Sequence, residues 1–175
     1  MYAVFQSKKL SKEETIKQLV QKTDPSNLNL YKKVDISPCN LSAEIMENVI
    51  PNFCFDNMAI LTSFFPDCSI VFGYYFYPNN GGVLIDHAWL KLADGTYVDP
   101  TYHKGKVDSH IEISDGEHLS LYEIPAQDYK KINKTIYHPS LQDIVGFNLR
   151  MLMKLSNIRQ FRSVKNKESK LKKAS

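Results

Sequence analysis

The spacing of apolar residues predicts three helices in the first third of the chain. Their ranges are 12–23, a short segment between Asn40 and Pro51, and 54–65. The first helix opens with Ser11 and Glu14, which have the spacing of a capping box. The second carries apolar residues at helical spacing, and the third ends at Pro66. Cys54 therefore stands in the first turn of the third predicted helix.

Beyond residue 68 the pattern becomes typical of β-strands. Strands are predicted over 69–78, 84–92, 96–99 and 118–124, where β-branched and aromatic residues are enriched. The dipeptide Asp94-Gly95 separates the second strand from the third, so these two strands are expected to form an antiparallel hairpin. Two connecting loops, 78–86 and 100–117, are expected to carry substrate specificity.

The C-terminal part returns to helical spacing. Helices are predicted over 125–136 and 139–161, each led by a proline that suits a first helical turn. The chain has 175 residues, 43% of them hydrophobic, which is enough for one domain with a real core. We therefore predict a single α+β domain, residues 1–161, in which N-terminal and C-terminal helices flank a small antiparallel sheet.

Charge is distributed unevenly along the chain. Nine of the 22 Lys and Arg residues, but one of the 19 Asp and Glu residues, lie from Arg150 onward. Residues 162–175 are predicted to be a basic, flexible tail. Such a tail is a candidate surface for an acidic partner or nucleic acid, while a solvated chain terminus is the alternative. The absence of aromatic residues after Phe161 removes the usual platform for base stacking.

The N-terminal stretch MYAVFQSKKL lacks the basic and apolar order of a signal peptide. The longest apolar run, IVFGYYFY, is far shorter than the ~20 residues of a membrane helix. These features predict a cytoplasmic protein, or one in a host cytosol if it is translocated, without a transmembrane segment. The three cysteines, Cys39, Cys54 and Cys68, match neither a disulfide framework nor a zinc site. This count suits free thiols in a reducing compartment.

Three side chains of complementary chemistry lie near the predicted hairpin: Cys54, His87 and Asp99. His87 and Asp99 stand at the far ends of the two hairpin arms, so closing the turn brings them close, since opposed Cβ atoms are ~5 Å apart. Unpaired N–H groups at a helix N-terminus favour a thiolate over a thiol. A thiol, an imidazole base and a carboxylate that orients the base together favour nucleophilic catalysis. The alternative for the cysteine is a packed core thiol.

Four short stretches, covering about residues 52–102, resemble a known catalytic core. They are Cys54-Phe-Asp-Asn-Met-Ala59, Val71-Phe-Gly73-Tyr74, His87-Ala-Trp89 and Asp94-Gly95-Thr-Tyr-Val98-Asp99-Pro-Thr101. In this order they resemble the transglutaminase-like branch of the papain-like cysteine protease superfamily. The resemblance implies a nucleophile helix packed on a small antiparallel sheet. It also implies that Cys54 is the nucleophile, His87 the general base and acid, and Asp99 the residue that orients His87.

The segment before the cysteine departs from that family. Ile50-Pro-Asn-Phe53 has neither the small residue nor the Trp that often stands near the nucleophile. The backbone N–H of Cys54 is expected to donate to the oxyanion, and Asn52 or Asn57 is a candidate for the second donor. Asn57 has an alternative role, that of tying its helix to the neighbouring loop. Trp89 is a further candidate for positioning the substrate, with a place in the core or the site wall as its alternative.

The predicted function is thiol-dependent acyl transfer at an amide bond, with a protein or peptide as substrate. Protease or amidase, glutamine deamidase and transglutaminase activities remain open, because they differ only in the acyl acceptor and substrate. A binding or inhibitor protein of the same fold, such as a translocated effector or a phage anti-defence protein acting by occlusion, is the alternative.

No cofactor is predicted for this chain, because the sequence has no glycine-rich phosphate loop. No metal is predicted either. The other histidines lack the i, i+4 spacing of a helical metal pair: His103, His110, His118 and His138.

Overall fold

The computed structural model describes residues 10–23, 31–78, 82–109, 116–146 and 159–160. Its helices are α1 (Lys12–Thr23), α2 (Ala43–Glu47), α3 (Cys54–Leu61), α4 (Pro100–Ser109), α5 (Ala126–Thr135) and α6 (Leu141–Gly146). Its strands are β1 (Lys32–Val34), β2 (Ser69–Tyr77), β3 (Val83–Lys91), β4 (Tyr97–Val98), β5 (Glu117–Pro125) and β6 (Arg159–Gln160). The predicted basic tail, 162–175, lies outside the described residues. No helix in the described ranges is both long enough and apolar enough to cross a bilayer.

The strands form one antiparallel sheet in the order β1-β5-β2-β3-β4, and β6 also pairs with β5. With helices before, between and after the strands, the described chain has the predicted α+β class. Helix α1 has the predicted bounds and its capping box: Ser11 donates its N–H to Glu14 (2.8 Å), and Glu14 donates its N–H to the Ser11 hydroxyl (3.2 Å). The predictions for β2, β3, β5 and α5 are confirmed to within one or two residues.

Strand β2 lies in the middle of the sheet, and both of its faces are buried. Alternate residues point to opposite faces of a strand. Phe72 and its same-face neighbours on β2 join the main core, together with buried residues of α1, α3, α5 and α6. On the opposite face, Gly73 is paired with His87 of β3, and Tyr75 is paired with His118 of β5. This second face therefore collects the titratable side chains of three neighbouring strands.

Several predicted elements differ from the structure. Residues 100–109, predicted as loop, form α4. Helix α3 ends at Leu61 rather than 65, and residues 159–160 are a strand instead of the end of a helix. Most of that last predicted helix lies outside the described residues. Strand β1 was not predicted, since three residues are too few to establish a period of two.

Helix α4 escapes a pattern search because its sequence, PTYHKGKVDS, has no apolar period and contains a glycine. Its start is determined by side-chain chemistry instead. Asp99 precedes Pro100, the first helical residue, and its Oδ1 accepts the N–H of Tyr102 at 2.9 Å. An Asp at the N-cap followed by Pro at the first position is a favourable helix start. The capping role assigns one oxygen of Asp99.

Gly73 is expected to be intolerant of any side chain. The β2–β5 register shifts between Phe72 and Gly73, and a Cβ on Gly73 would overlap the carbonyl oxygen of Leu119. We expect Gly73→Ala to lower the free energy of unfolding by at least about 2 kcal/mol, measured by urea denaturation, because β5 must move. Gly105→Ala is the matched control, since a Cβ there meets no atom within 4 Å and alanine favours a helix. Equal midpoints for the two variants would contradict the expectation.

Candidate active site

The Cys54 side chain lies at the start of α3, as predicted. The N-cap residue is Phe53, and no side chain caps this end of the helix. The N–H groups of the first turn are therefore left without a side-chain acceptor. Residues 52–56 line a cavity of about 560 Å³, and the Cys54 residue is 7% exposed. The thiol is thus placed at a cavity wall beside a helix N-terminus, where negative charge is favoured.

His87 lies on β3 at the same cavity. Its Nε2 is 2.5 Å from Oδ2 of Asp99 and its side chain is 12% exposed. The hairpin produces this contact as predicted: Gly95 adopts a φ of 90° in the turn, and Leu90 pairs with Val98, which leads directly to Asp99. The two arms therefore deliver the imidazole and the carboxylate to one point.

The Cys54 side chain is close enough to influence the charge of His87. It is among the groups that raise the pKa of His87. Because Nε2 is engaged by Asp99, Nδ1 is the ring nitrogen that is left for the thiol. Cys54, His87 and Asp99 thus follow one another in a row: Cys54 and His87 line the same cavity, and the imidazole is paired with Asp99.

Charge in this row is set by competing effects. Burial disfavours the imidazolium of His87, but the Asp99 carboxylate and the Cys54 side chain outweigh burial and raise the pKa of His87 to about 10. Burial likewise opposes ionisation of Asp99, yet the two histidines that contact it, His87 and His118, hold the pKa of Asp99 well below its usual range. At neutral pH the row therefore contains an imidazolium beside an ionised carboxylate.

His118 was set aside in the sequence and is part of the site. Its Nε2 is 2.8 Å from Oδ2 of Asp99, and the residue is 5% exposed. Spacing gives no signal for it, because His118 lies 19 residues beyond Asp99. The pairing of β5 with β2 brings it to the site, with His118 opposite Tyr75. Only a search that already knew this strand order could have found it.

A second cavity, of about 490 Å³, reaches Asp99 and His118. Tyr75 and Tyr102 line both cavities, and their ring centroids are 5.4 Å apart. The two aromatic rings therefore stand between the cavity that contains Cys54 and the cavity that reaches His118.

The three secondary candidates have different surroundings. Asn57 is fully buried, accepts the N–H of Ile50 (2.9 Å), and donates both amide protons, to the carbonyl of Ile50 and to the hydroxyl of Thr101 (each 2.8 Å). It therefore ties α3 to the preceding loop and to α4, and has no proton left for an oxyanion. Asn52 is exposed, lines the Cys54 cavity and has a φ of 66°. It remains the side-chain candidate for that role.

Trp89 lies in the core behind the site, so it is not placed to position a substrate. The residue is fully buried and does not line the cavity that contains Cys54 and His87. It packs with Val34 and Val71, and its ring stacks on His87 with centroids 5.8 Å apart. Trp89 therefore supports the imidazole from behind as a wall of the site.

His87, Asp99 and His118 are also the described residues that come nearest to a metal ligand set. Ligand atoms at ~2.0–2.1 Å from a tetrahedral ion lie ~3.3 Å from one another. The Nε2 atoms are 2.5 and 2.8 Å from the shared oxygen, which are hydrogen-bond lengths. The arrangement fits two N–H donors on one carboxylate better than three ligands around an ion.

This geometry can hold a thiolate–imidazolium pair at the wall of a cavity and can return a proton from the imidazole to a bound group.

Comparison of the chain with models of known protein families, with curated proteins and with solved structures finds no match.

Proposed function

We propose that this protein is a cysteine-nucleophile enzyme that transfers an acyl group from an amide. The observation that carries the proposal is that Cys54 and His87 line one cavity and that the His87 imidazole is paired with the buried Asp99. The resemblance of residues 52–102 to the transglutaminase-like, papain-like core implies the same three roles. Burying an ion pair costs free energy, and a reaction that uses both the thiol and the imidazolium explains why the chain maintains one here.

In the first step, the Cys54 sulfur attacks the carbonyl carbon of the amide while Nδ1 of His87 holds the thiol proton. The carbonyl oxygen becomes an oxyanion, and the backbone N–H of Cys54 is expected to donate a hydrogen bond to it. His87 then gives its Nδ1 proton to the amide nitrogen, the C–N bond breaks, and the amine leaves. Cys54 is left as a thioester.

In the second step, water or an amine attacks the thioester, and His87 accepts a proton from the attacking molecule. The C–S bond breaks, the acid or a new amide leaves, and the proton returns to the sulfur. Asp99 keeps Nε2 of His87 engaged throughout, so that Nδ1 stays directed at the sulfur. The acyl acceptor decides between hydrolase and transferase, and both use this same set of residues.

The walls of the Cys54 cavity combine aromatic side chains and Ile85 with polar residues, among them Asp56 and Asp86. Residues from both segments that were expected to carry specificity, 78–86 and 100–117, contribute to them. Ile85 and Asp86 come from β3, and Thr101, Tyr102 and Gly105 from α4. Phe53, 54% exposed, and Ile85, 50% exposed, give the cavity an apolar rim. A protein or peptide substrate with an apolar group near the reacting amide suits this rim.

Selective reaction of Cys54 tests the proposal. At pH 6–7, iodoacetamide should alkylate Cys54 at least about 10-fold faster than the other cysteines, with mass spectrometry locating the adduct. The reason is that Cys54 has an imidazole partner, whereas burial raises the pKa of Cys68 to about 11 and also raises the pKa of Cys39. His87→Ala should remove the advantage. Equal rates for the three thiols in the folded wild type would overturn the proposal.

A non-enzymatic binding protein is the second candidate, and the apolar rim favours it. Phe53, Val83 and Ile85 are about half exposed. Such side chains are suited to contact a partner that is only held, not cleaved. Binding without chemistry places no demand on the thiol, so Cys54→Ala should leave the affinity for a captured partner unchanged and Ile85→Asp should reduce it. Enzyme and binding protein are thus separated by which of these two variants has an effect.

A further inference from the structure

Two imidazoles share one carboxylate oxygen in this site. Nε2 of His87 and Nε2 of His118 lie 2.5 and 2.8 Å from Oδ2 of Asp99, while Oδ1 accepts the N–H of Tyr102. Asp99 is 1% exposed, so its ionised form depends on these three contacts in place of water. The general need of a cysteine–histidine pair is met by His87 and Asp99 alone. The second imidazole therefore requires its own explanation.

We propose that His118 is a positioning residue of the candidate active site: as a neutral imidazole it donates its Nε2–H to Asp99, and so holds that carboxylate ionised and directed at His87. The inference rests on the proposed function and extends it by one residue on a different strand. His118 touches neither Cys54 nor the cavity that contains it. It acts through Asp99.

The surroundings of His118 favour the neutral form. Burial lowers the pKa of His118, the Asp99 carboxylate opposes this effect, and the charge on His87 adds to it. Burying Asp99 with one charged histidine costs less free energy than burying it with two, because two imidazolium groups repel each other. The single positive charge therefore resides on His87. A neutral imidazole with hydrogen on Nε2 has one ring donor, and Asp99 accepts its hydrogen bond.

The ring of His118 is also held in place. Tyr75, Trp89 and Tyr102 pack edge-on against it, with centroids 5.0, 5.1 and 6.0 Å away. The donor is thereby fixed in direction before any substrate binds. A fixed donor orients the carboxylate, whose remaining contacts alone would allow it to turn about its Cβ–Cγ bond.

Titratable groups on several elements face His118 and must be considered in any pH experiment. In the described chain they are His87, Asp99, Tyr75 and Tyr102 in contact with it, and Lys12, Lys33, Asp35, Cys39, His103, Lys106 and Glu117 around the second cavity. Lys12 and Lys33 both pair with Glu117. The direct contacts therefore dominate the charge that His118 experiences.

The tautomer can be tested in the wild-type protein. We expect long-range nitrogen–proton NMR to show His118 neutral at pH 7, with hydrogen on Nε2, and His87 doubly protonated. A charged His118 at pH 7, or hydrogen on its Nδ1 alone, would overturn the inference. This measurement needs no variant and does not depend on activity. Dialysis against EDTA must leave both spectra unchanged, since a change would mean that the histidines bind a metal instead.

Two substitutions then separate the hydrogen bond from the packing. His118→Gln keeps an N–H donor near the position of Nε2, and His118→Phe keeps a ring without a donor. The proton between His87 and Asp99 should give a low-field NMR signal. In His118→Phe, acidification should remove this signal at a pH about one unit or more above the pH at which it is lost in the wild type. The reason is that Asp99 loses a donor that favours its ionised form. Alkylation of Cys54 should slow by about 10-fold. His118→Gln should stay within about 3-fold of the wild type.

Ser120→Ala is the matched control. Ser120 is fully buried on the same strand, and it donates to the carbonyl of Lys32, away from Asp99. It should affect the melting temperature without moving the low-field proton. If His118→Gln behaves as His118→Phe does, or if neither variant moves that proton, the inference fails. A wild type with unreactive Cys54 would overturn the proposed function, and the low-field proton would still decide the role of His118.

Discussion

Asp99→Asn is expected to lower the rate of acyl transfer by a factor of about 10² to 10⁴ while the protein stays folded. The upper figure is the cost of the analogous change in a serine protease, where the amide stabilises the wrong imidazole tautomer. Here an amide nitrogen at the position of Oδ2 would face two ring N–H donors, those of His87 and His118. Donors cannot pair with donors, so His87 would lose both its charge partner and its orientation.

The fold should survive because Asp99 has a second role that Asn can fill. Its Oδ1 caps α4 by accepting the N–H of Tyr102, and Asn is as good an N-cap as Asp. The rate is best followed as p-nitrophenol release from p-nitrophenyl acetate, with the melting temperature measured in parallel. Asp94→Asn is the matched control, since Asp94 accepts the N–H of Thr96 in the exposed hairpin turn, away from the site. Full activity of Asp99→Asn with an unchanged melting temperature would mean that Asp99 only caps the helix.

Cys54→Ala is expected to abolish acyl transfer altogether. Loss of a nucleophile that acts as one unit with its base costs on the order of 10⁶ in turnover in a well-studied hydrolase, which would place the variant at background. The measurement is the burst of p-nitrophenol from p-nitrophenyl acetate, together with the acetyl adduct located by mass spectrometry. The wild type should carry that adduct on Cys54, because the sulfur lies at the cavity wall next to His87.

The other two cysteines provide controls for this loss. Cys39→Ala should be as active as the wild type, because Cys39 lines the second cavity and not the one that contains Cys54, and its thiol lies near Met46. Cys68→Ala should also be active but somewhat less stable, because Cys68 is 4% exposed and belongs to the main core. Residual burst kinetics in Cys54→Ala would exclude this cysteine as the nucleophile and leave the binding-protein alternative.

Local chemistry made much of the fold predictable. Helix α1 follows from one capping box, and the hairpin of β3 and β4 from one Asp-Gly turn, because both signals act over three or four residues. The hairpin turn also accounts for the contact between His87 and Asp99. Cys54 could be placed at a helix start because Pro51 and Pro66 bracket its segment.

Other features depend on contacts that are distant in the sequence. Helix α4 has no apolar period, so periodicity does not predict it. Its start depends on Asp99, which accepts the N–H of Tyr102 and is held in place by His87 and His118 from other strands. Asn57 was a candidate donor to the oxyanion by its spacing, but Ile50 and Thr101 engage its amide. The histidines that contact Asp99 and the Thr101 hydroxyl that contacts Asn57 lie on other elements, and single-sequence patterns carry no information about such pairs.

The sequence by itself thus determined the three candidate side chains and the local elements that carry them, because turn and cap signals are short-range. Only the tertiary structure decided which fourth residue meets Asp99. His118 arrives there because β5 pairs with β2, and this pairing is selected by burial of the apolar faces of both strands. That choice depends on the summed burial of the whole sheet, which no stretch of the sequence expresses alone.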